Sequence, residues 1–148
     1  MVIDCILLAG RIMMESGAET YRVEDTMLRM ARSQNLEDAQ SYVTPTGIIF
    51  SLGRTQPTRV TSIKTRITDL HKITLVNNVS RKLTSQIITL EQAYDELKNI
   101  EMTNYFLPIV VQMLAASVAS SCFLVLFYGA WANVPAAFLA GGIGLYIA

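Results

Sequence analysis

The sequence predicts an α+β domain followed by α-helical transmembrane segments, a multi-pass membrane protein, and three observations lead there. Every acidic and basic residue, 12 of each sign, together with the single histidine, lies at or before Glu101. Beyond it, the uncharged run from Tyr105 to Tyr128, read as a helix, is long enough to cross a hydrocarbon layer of roughly 30 Å. Before it, helix-type and strand-type hydrophobic spacings alternate among charges of both signs, as in an ordinary water-soluble domain. A hydrophobic fraction of 51% and a mean hydropathy of +0.36 therefore average two solvents. Zero net charge and a pI near 6.6 give no basic surface for nucleic acid, which is excluded as a partner.

The boundaries follow: 1–104 for the cytosolic α+β domain, 105–130 for a first transmembrane helix, and 131–148 for a turn and an incomplete second one. The domain is expected to be a helix pair, a β-hairpin and further helices. Ile3, Ile6, Leu7, Gly10, Met13 and Met14 recur at the i, i+3, i+4, i+7 spacing of one helix face that ends at Gly17, a natural left-handed cap. Asp4 stands where a leader sequence would carry basic residues, Arg11 interrupts the run and no small-x-small site closes it. This stretch is therefore an amphipathic helix, and the domain is expected on the cytoplasmic side of the cell (inner) membrane.

A second helix, Ala18 to Gln34, carries Val23, Met27 and Met30 on one stripe and Glu19 in its first turn, where the helix dipole favours an anion. From Ser41 the residues become β-branched and aromatic: Tyr42, Val43 and Thr44, then Ile48, Ile49 and Phe50. Pro45-Thr46-Gly47 breaks this run, as at an edge strand or bulge. A second strand, Arg59 to Ile67, places Ile63 and Ile67 opposite Lys64 and Arg66, with turn residues from Gly53 to Thr58 between the strands. Leu70, Ile73, Val76 and Leu83 return to helical spacing, and Thr89 with Gln92 forms a capping box for a last helix through Ala93, Leu97 and Ile100. About a hundred residues can hold a modest core.

The first membrane helix starts near Pro108, which is tolerated in a first turn, with Tyr105 and Trp131 as flanking interface aromatics. Ala115, Ala116 and Ala119, with Ser117, Ser120 and Ser121, make small-x-x-x-small pairs suited to close packing against another helix. The second apolar segment, from Val134-Pro135 through Gly141-Gly142 to Ala148, is about 15 residues, or roughly 22 Å as a helix, too short to cross. The chain is therefore expected to be a fragment or a truncated product.

Cys5 and Cys122 lie in no metal or redox spacing, and His71 has no second ligand at i±4, so no metal and no cofactor is expected. Ser41, Thr44, Thr46 and His71 could be imagined as nucleophile and base. No Gly-x-Ser-x-Gly elbow and no phosphate-binding glycine loop accompanies them, and the chain is expected not to be an enzyme.

Gly17-Ala18-Glu19-Thr20-Tyr21-Arg22-Val23-Glu24, Thr44-Pro45-Thr46-Gly47, and Asp69-Leu70-His71-Lys72-Ile73 leading to Val76-Asn77 and Ser80-Arg81 resemble the threonine/serine exporter family, as does the Gly129-to-Asn133 turn. The resemblance implies a cell-membrane exporter of small solutes with an N-terminal cytosolic domain and several membrane helices. Amino acids such as threonine and serine are the first expectation for its cargo. Dicarboxylates such as succinate, or a membrane-anchored ligand-binding or regulatory module without transport activity, are the alternatives. The implied partners are the lipid bilayer, other transmembrane helices of a full-length protein or a second exporter subunit, with an oligomer left open. Asn133 stands where such relatives often carry an acid.

A transporter breaks no bond, so polar groups at membrane depth are the natural candidates for the substrate path. These are Gln112, Ser117, Ser120, Ser121 and Asn133. A plainer role competes for each: an interhelical hydrogen bond for Gln112, and a bond to its own helix backbone for each serine. In the cytosolic domain Gly17, Glu19, Arg22, Glu24, Asp69, Lys72, Asn77 and Arg81 are either a docking surface beneath the membrane or a set of caps and ion pairs. The second is favoured, since paired charges on helices are mostly structural.

Overall fold

The computed structural model describes residues 1–103, 107–127 and 131–147. The chain divides into two compact units, residues 1–105 and 106–148. Tyr105, Tyr128, Gly129, Ala130 and Ala148, which figure in the expectations above, lie outside the described residues, as does the 104/105 boundary.

The first unit runs α1 (Val2–Glu15), α2 (Thr20–Ser33), β1 (Gln40–Thr44), β2 (Gly47–Ser51), β3 (Arg59–Ser62), α3 (Leu70–Thr84) and α4 (Leu90–Met102). Helix α1 is its centre and packs against α2, α3, α4 and β2. One buried face was expected, yet Cys5, Leu8, Ala9 and Ile12 are buried as well as Ile6, Leu7, Gly10, Met13 and Met14. With only Asp4, Arg11 and Glu15 polar, little on this helix needs water, so neighbours can surround it. Gly10 lets α2 come close: a Cβ there would sit 2.5 Å from Met27 Sδ and 3.2 Å from Ile48 Cδ1. Phe50, Ile48, Leu97, Val76 and Val23 complete a methionine-rich core, each side chain contributing about 1.5–3 kcal/mol by leaving water.

The expected hairpin is a three-stranded antiparallel sheet in the order β1-β2-β3. Pro45 and Thr46 are neither bulge nor strand interior but the two-residue turn joining β1 to β2, with Thr44 paired to Gly47. Proline presets a turn φ and brings no amide into the ladder, so it fits where the chain reverses. Val43, Ile48 and Phe50 point into the core. Strand β3 ends at Ser62, short of the expected Ile67. Ile63 is buried, but Ile67 is exposed and its N–H donates to the Glu15 carbonyl at 2.8 Å.

Three helices of this unit close in the same way. At the end of α1, Gly17 has φ +88°, its N–H donating to Met14 and that of Ala18 to Met13, the paired bonds that satisfy the last carbonyls. Asn35 (φ +62°) after α2 and Gln86 (φ +56°) after α3 repeat the pattern without glycine, through Asn35→Arg32, Leu36→Ala31, Gln86→Leu83 and Ile87→Lys82 backbone bonds. Helix α4 opens on its predicted capping box: Thr89 Oγ1 accepts from Gln92 N at 3.3 Å, and Gln92 Oε1 accepts from Thr89 N at 3.0 Å. Glu19, expected inside the first turn of α2, is its N-cap residue instead, with no side-chain cap bond.

The second unit is α5 (Ile109–Leu126), a short 3-10 helix (Trp131–Asn133) and α6 (Val134–Ile147), with α5 packed on α6. Helix α5 has 18 residues without a charge and is long and apolar enough to cross a membrane. Its length is about 27 Å. Among the described residues it is the one helix that qualifies; α6 is apolar but shorter.

Candidate functional site

The contact between α5 and α6 is made where both backbones lack bulk. Ser117 is buried, while Ala116 and Ser120 are half-buried. A Cβ on Gly141 would lie 2.5 Å from Ser120 Oγ and 2.9 Å from the Ala116 carbonyl oxygen; one on Gly142 would lie 2.8 Å from Ser117 Oγ. The neighbour of the small face of α5 is thus the next helix of the same chain. Ala115 and Ala119 fall outside this face and are exposed, as are Val110, Leu114, Val118 and Phe123 around the rest of α5. A surface so apolar belongs in lipid or against other helices.

The polar groups here are mostly engaged at home. Ser117 Oγ donates to the Met113 carbonyl and Ser121 Oγ to that of Ser117, each at 2.9 Å. Gln112 Nε2 donates to the Leu107 carbonyl at 2.7 Å, at the start of α5. Asn133 ends the 3-10 helix and is exposed.

In the first unit, two motif segments separated in sequence meet at the end of α1. Asp69 N–H donates to the Ser16 carbonyl at 3.0 Å, and Thr68 lies against Gly17, where a Cβ would stand 3.5 Å from Thr68 Cα. Asp69 caps α3, its Oδ1 accepting from Lys72 N at 3.1 Å, while Oδ2 is buried without a hydrogen-bond partner among the described residues. Lys72 Nζ reaches the Glu101 carbonyl at 3.4 Å. The Glu101 carboxylate pairs with Arg11 and, at 3.5 Å, with Lys98, so α1 and α3 are both tied to the end of α4. Glu24 is used structurally too: its Oε1 accepts from Val43 N at 2.8 Å and pins β1 to α2.

A second grouping has a different character. Tyr21, Arg22, Asp25 and Arg29 recur along one face of α2, and Asn77, Ser80 and Arg81 along one face of α3. Together they line an open groove of about 450 Å³. Arg29 is paired with Asp25 at 2.8 Å. Arg22 and Arg81 have no ion pair among the described residues. At the mouth, a hydrogen bond from Tyr21 to the Glu19 carboxylate and the charge of that carboxylate raise the phenol's pKa above its ordinary value. The sequence motif contained Arg22, Asn77 and Arg81 but not Arg29, one stripe further along α2, nor Ser80 as a groove residue. Arg29 at i+7 from Arg22 was the available signal.

Of the residues imagined as nucleophile and base, Thr44 and Thr46 bring their hydroxyls within 3.4 Å of each other, and Thr44 and Ser41 have further partners. Thr44 Oγ1 accepts from Gly47 N at 3.1 Å and donates to the Gly47 carbonyl at 3.0 Å, which makes it a turn residue, and Ser41 Oγ lies 3.7 Å from Met27 Sδ. Burial of Cys5 pushes its thiol up to about 11, the opposite of an activated nucleophile.

Compared with known families, residues 4–148 match the family ThrE, described as "Putative threonine/serine exporter". No curated protein and no solved structure matches.

Proposed function

The chain belongs to the ThrE family of membrane transporters, and from that premise we propose that it is an exporter component for small solutes, with amino acids such as threonine and serine as cargo. The observation that carries this reading is that one family match spans both units, joining the charged α+β unit to the uncharged helix pair. The packing of α5 on α6 through Ala116, Ser120 and Gly141 supports it, because a helix that only anchors a domain needs no such close partner. The exposed apolar residues around the rest of α5 are proposed to face lipid, further membrane helices or a second exporter subunit. The protein is then multi-pass in the cell membrane. The unpaired, buried thiol of Cys5 suits a first unit held in the reducing cytoplasm.

Gln112 at the start of α5 and Asn133 before α6 are proposed to meet cargo at opposite ends of the helix pair, since amide groups can bind both a carboxylate and an ammonium group. Export of labelled threonine from cells that express the chain, measured beside cells expressing Ser120→Leu, tests the proposal. Efflux above background that Ser120→Leu abolishes supports it. Efflux equal to background, or undiminished by the substitution, counts against it.

A further inference from the structure

We propose that the groove between α2 and α3 binds a small oxyanion, the carboxylate or phosphate of a cytoplasmic metabolite, held between Arg22 and Arg81. Four of its features are independent of one another. Two guanidinium groups from different helices line a single opening, and no carboxylate pairs with either among the described residues. The one acid in the lining, Asp25, is committed to Arg29. Half-buried Asn77 and buried Ser80 place neutral donors on the α3 wall. The volume, about 450 Å³, lies within the range of small-molecule sites.

Several other charges of this unit are neutralised at short range. Arg11 and Lys98 share Glu101, Lys82 reaches Glu96 at 3.3 Å, and Glu24 accepts a backbone amide. Those left without an ion pair among the described residues, such as Arg54 and Arg59, do not share a groove with a second unpaired arginine. Like charges that line one groove repel each other, and an anion between them turns both terms attractive. Arginine is the side chain suited to this, because its planar fork matches carboxylate and phosphate in bidentate fashion. Spacing along the helices keeps the pair available: Arg22 and Arg29 lie two turns apart on α2, and Arg81 is one turn from Asn77 on α3, so the lining faces are presented without loop rearrangement.

The proposal goes beyond export and fails separately from it, since it is read by binding with no transport step. Titration calorimetry of the full chain in neutral-detergent micelles, with succinate and separately with inorganic phosphate, is the test. Saturable binding of at least one anion is expected. It should weaken at least about tenfold in Arg22→Gln and in Arg81→Gln, the loss of one charge-assisted contact. Arg54→Gln, on the loop after β2, should leave it unchanged. Arg22→Lys and Arg81→Lys keep the charge without the fork and should recover part of the affinity, which separates loss of the site from loss of the fold. No saturable binding of either anion, or unaltered binding by the Arg22→Gln/Arg81→Gln double variant, overturns the proposal. Binding confined to vesicles of anionic phospholipid, with no response to the free anions, also overturns it, by assigning the charge to a lipid headgroup.

Discussion

Gly141→Ala places one methyl group where α5 and α6 touch, and its cost can be worked from three distances. The added Cβ would stand 2.5 Å from Ser120 Oγ, 3.0 Å from Ser120 Cβ and 2.9 Å from the Ala116 carbonyl oxygen. The serine hydroxyl can rotate away, but the carbonyl belongs to a helix backbone and cannot. Ordinary contact therefore requires the two helices to separate by about half an ångström, which loosens every contact along the seam, and overpacking of this kind costs about 1–3 kcal/mol. Gly142→Ala meets only Ser117 Oγ, at 2.8 Å, a hydroxyl already bonded to the Met113 carbonyl. Displacing that bond costs about 0.5–1.5 kcal/mol. Gly144→Ala meets nothing within 4 Å and should be neutral, or stabilising by up to about 1 kcal/mol through helix propensity. The only tryptophan, Trp131, begins the 3-10 helix that leads into α6, so its fluorescence reports on this pair. In an SDS titration of the full chain in mild detergent, the midpoint should fall most for Gly141→Ala, less for Gly142→Ala and not at all for Gly144→Ala. If Gly141→Ala unfolds no earlier than Gly144→Ala, the close approach of these helices is refuted.

Gln86→Gly should stabilise the first unit by about 0.5–1 kcal/mol, since Gln86 holds φ +56° at a helix end where glycine carries no penalty; denaturant midpoints followed by far-UV circular dichroism check it, and an unchanged or lower midpoint would contradict it. Glu24→Ala should cost about 1–3 kcal/mol by leaving the Val43 amide without its acceptor, while Glu24→Gln, which keeps a carbonyl oxygen there, should cost less; equal losses by thermal melting would count against that bond. Cys5, whose thiol is raised from 9.0 to about 11 by burial, should resist alkylation at pH 8 until the protein is unfolded. The unfolded thiol ionises first, so the stability Cys5 contributes is fully present below pH 9 and lost as pH climbs from 9 to 11; a Cys5→Ser variant should show a shallower alkaline decline. A green-fluorescent reporter fused before Met1 should light up in cells while a periplasm-dependent phosphatase fused there stays silent, and the reverse pattern would place the first unit on the other side of the membrane.

Much of this architecture could be read from the residues, and the places where it could not have physical causes. The capping box at Thr89 and Gln92 and the glycine cap at Gly17 are local devices whose residue types nearly dictate their geometry, so both were legible. The ends at Asn35 and Gln86 were not, because a left-handed cap on a residue other than glycine is imposed by the surrounding packing rather than by local preference. Periodicity found a face on α1 but not its central position, since Leu8, Ala9 and Ile12 become core only when strand and helices arrive on the remaining sides. Pro45 was read as an interruption because proline signals a break without saying whether the chain bends or reverses; the pairing of Thr44 with Gly47 decides for reversal. On α5 the abundance of alanine and serine announced a packing face, but its azimuth is set by Gly141 and Gly142 of α6, which select Ala116, Ser117 and Ser120 and leave Ala115 and Ala119 outside. The arginine groove depends on α2 and α3 lying side by side, a tertiary fact that no single helical pattern contains.

The central claim is that α5 and α6, uncharged and with exposed faces that are largely apolar, reside in lipid. Washing membranes from expressing cells with alkaline carbonate and then with detergent measures this directly. The chain should stay in the pellet through the carbonate wash and leave it only with detergent. Release by carbonate alone, or a monodisperse chain in plain aqueous buffer, would contradict the account.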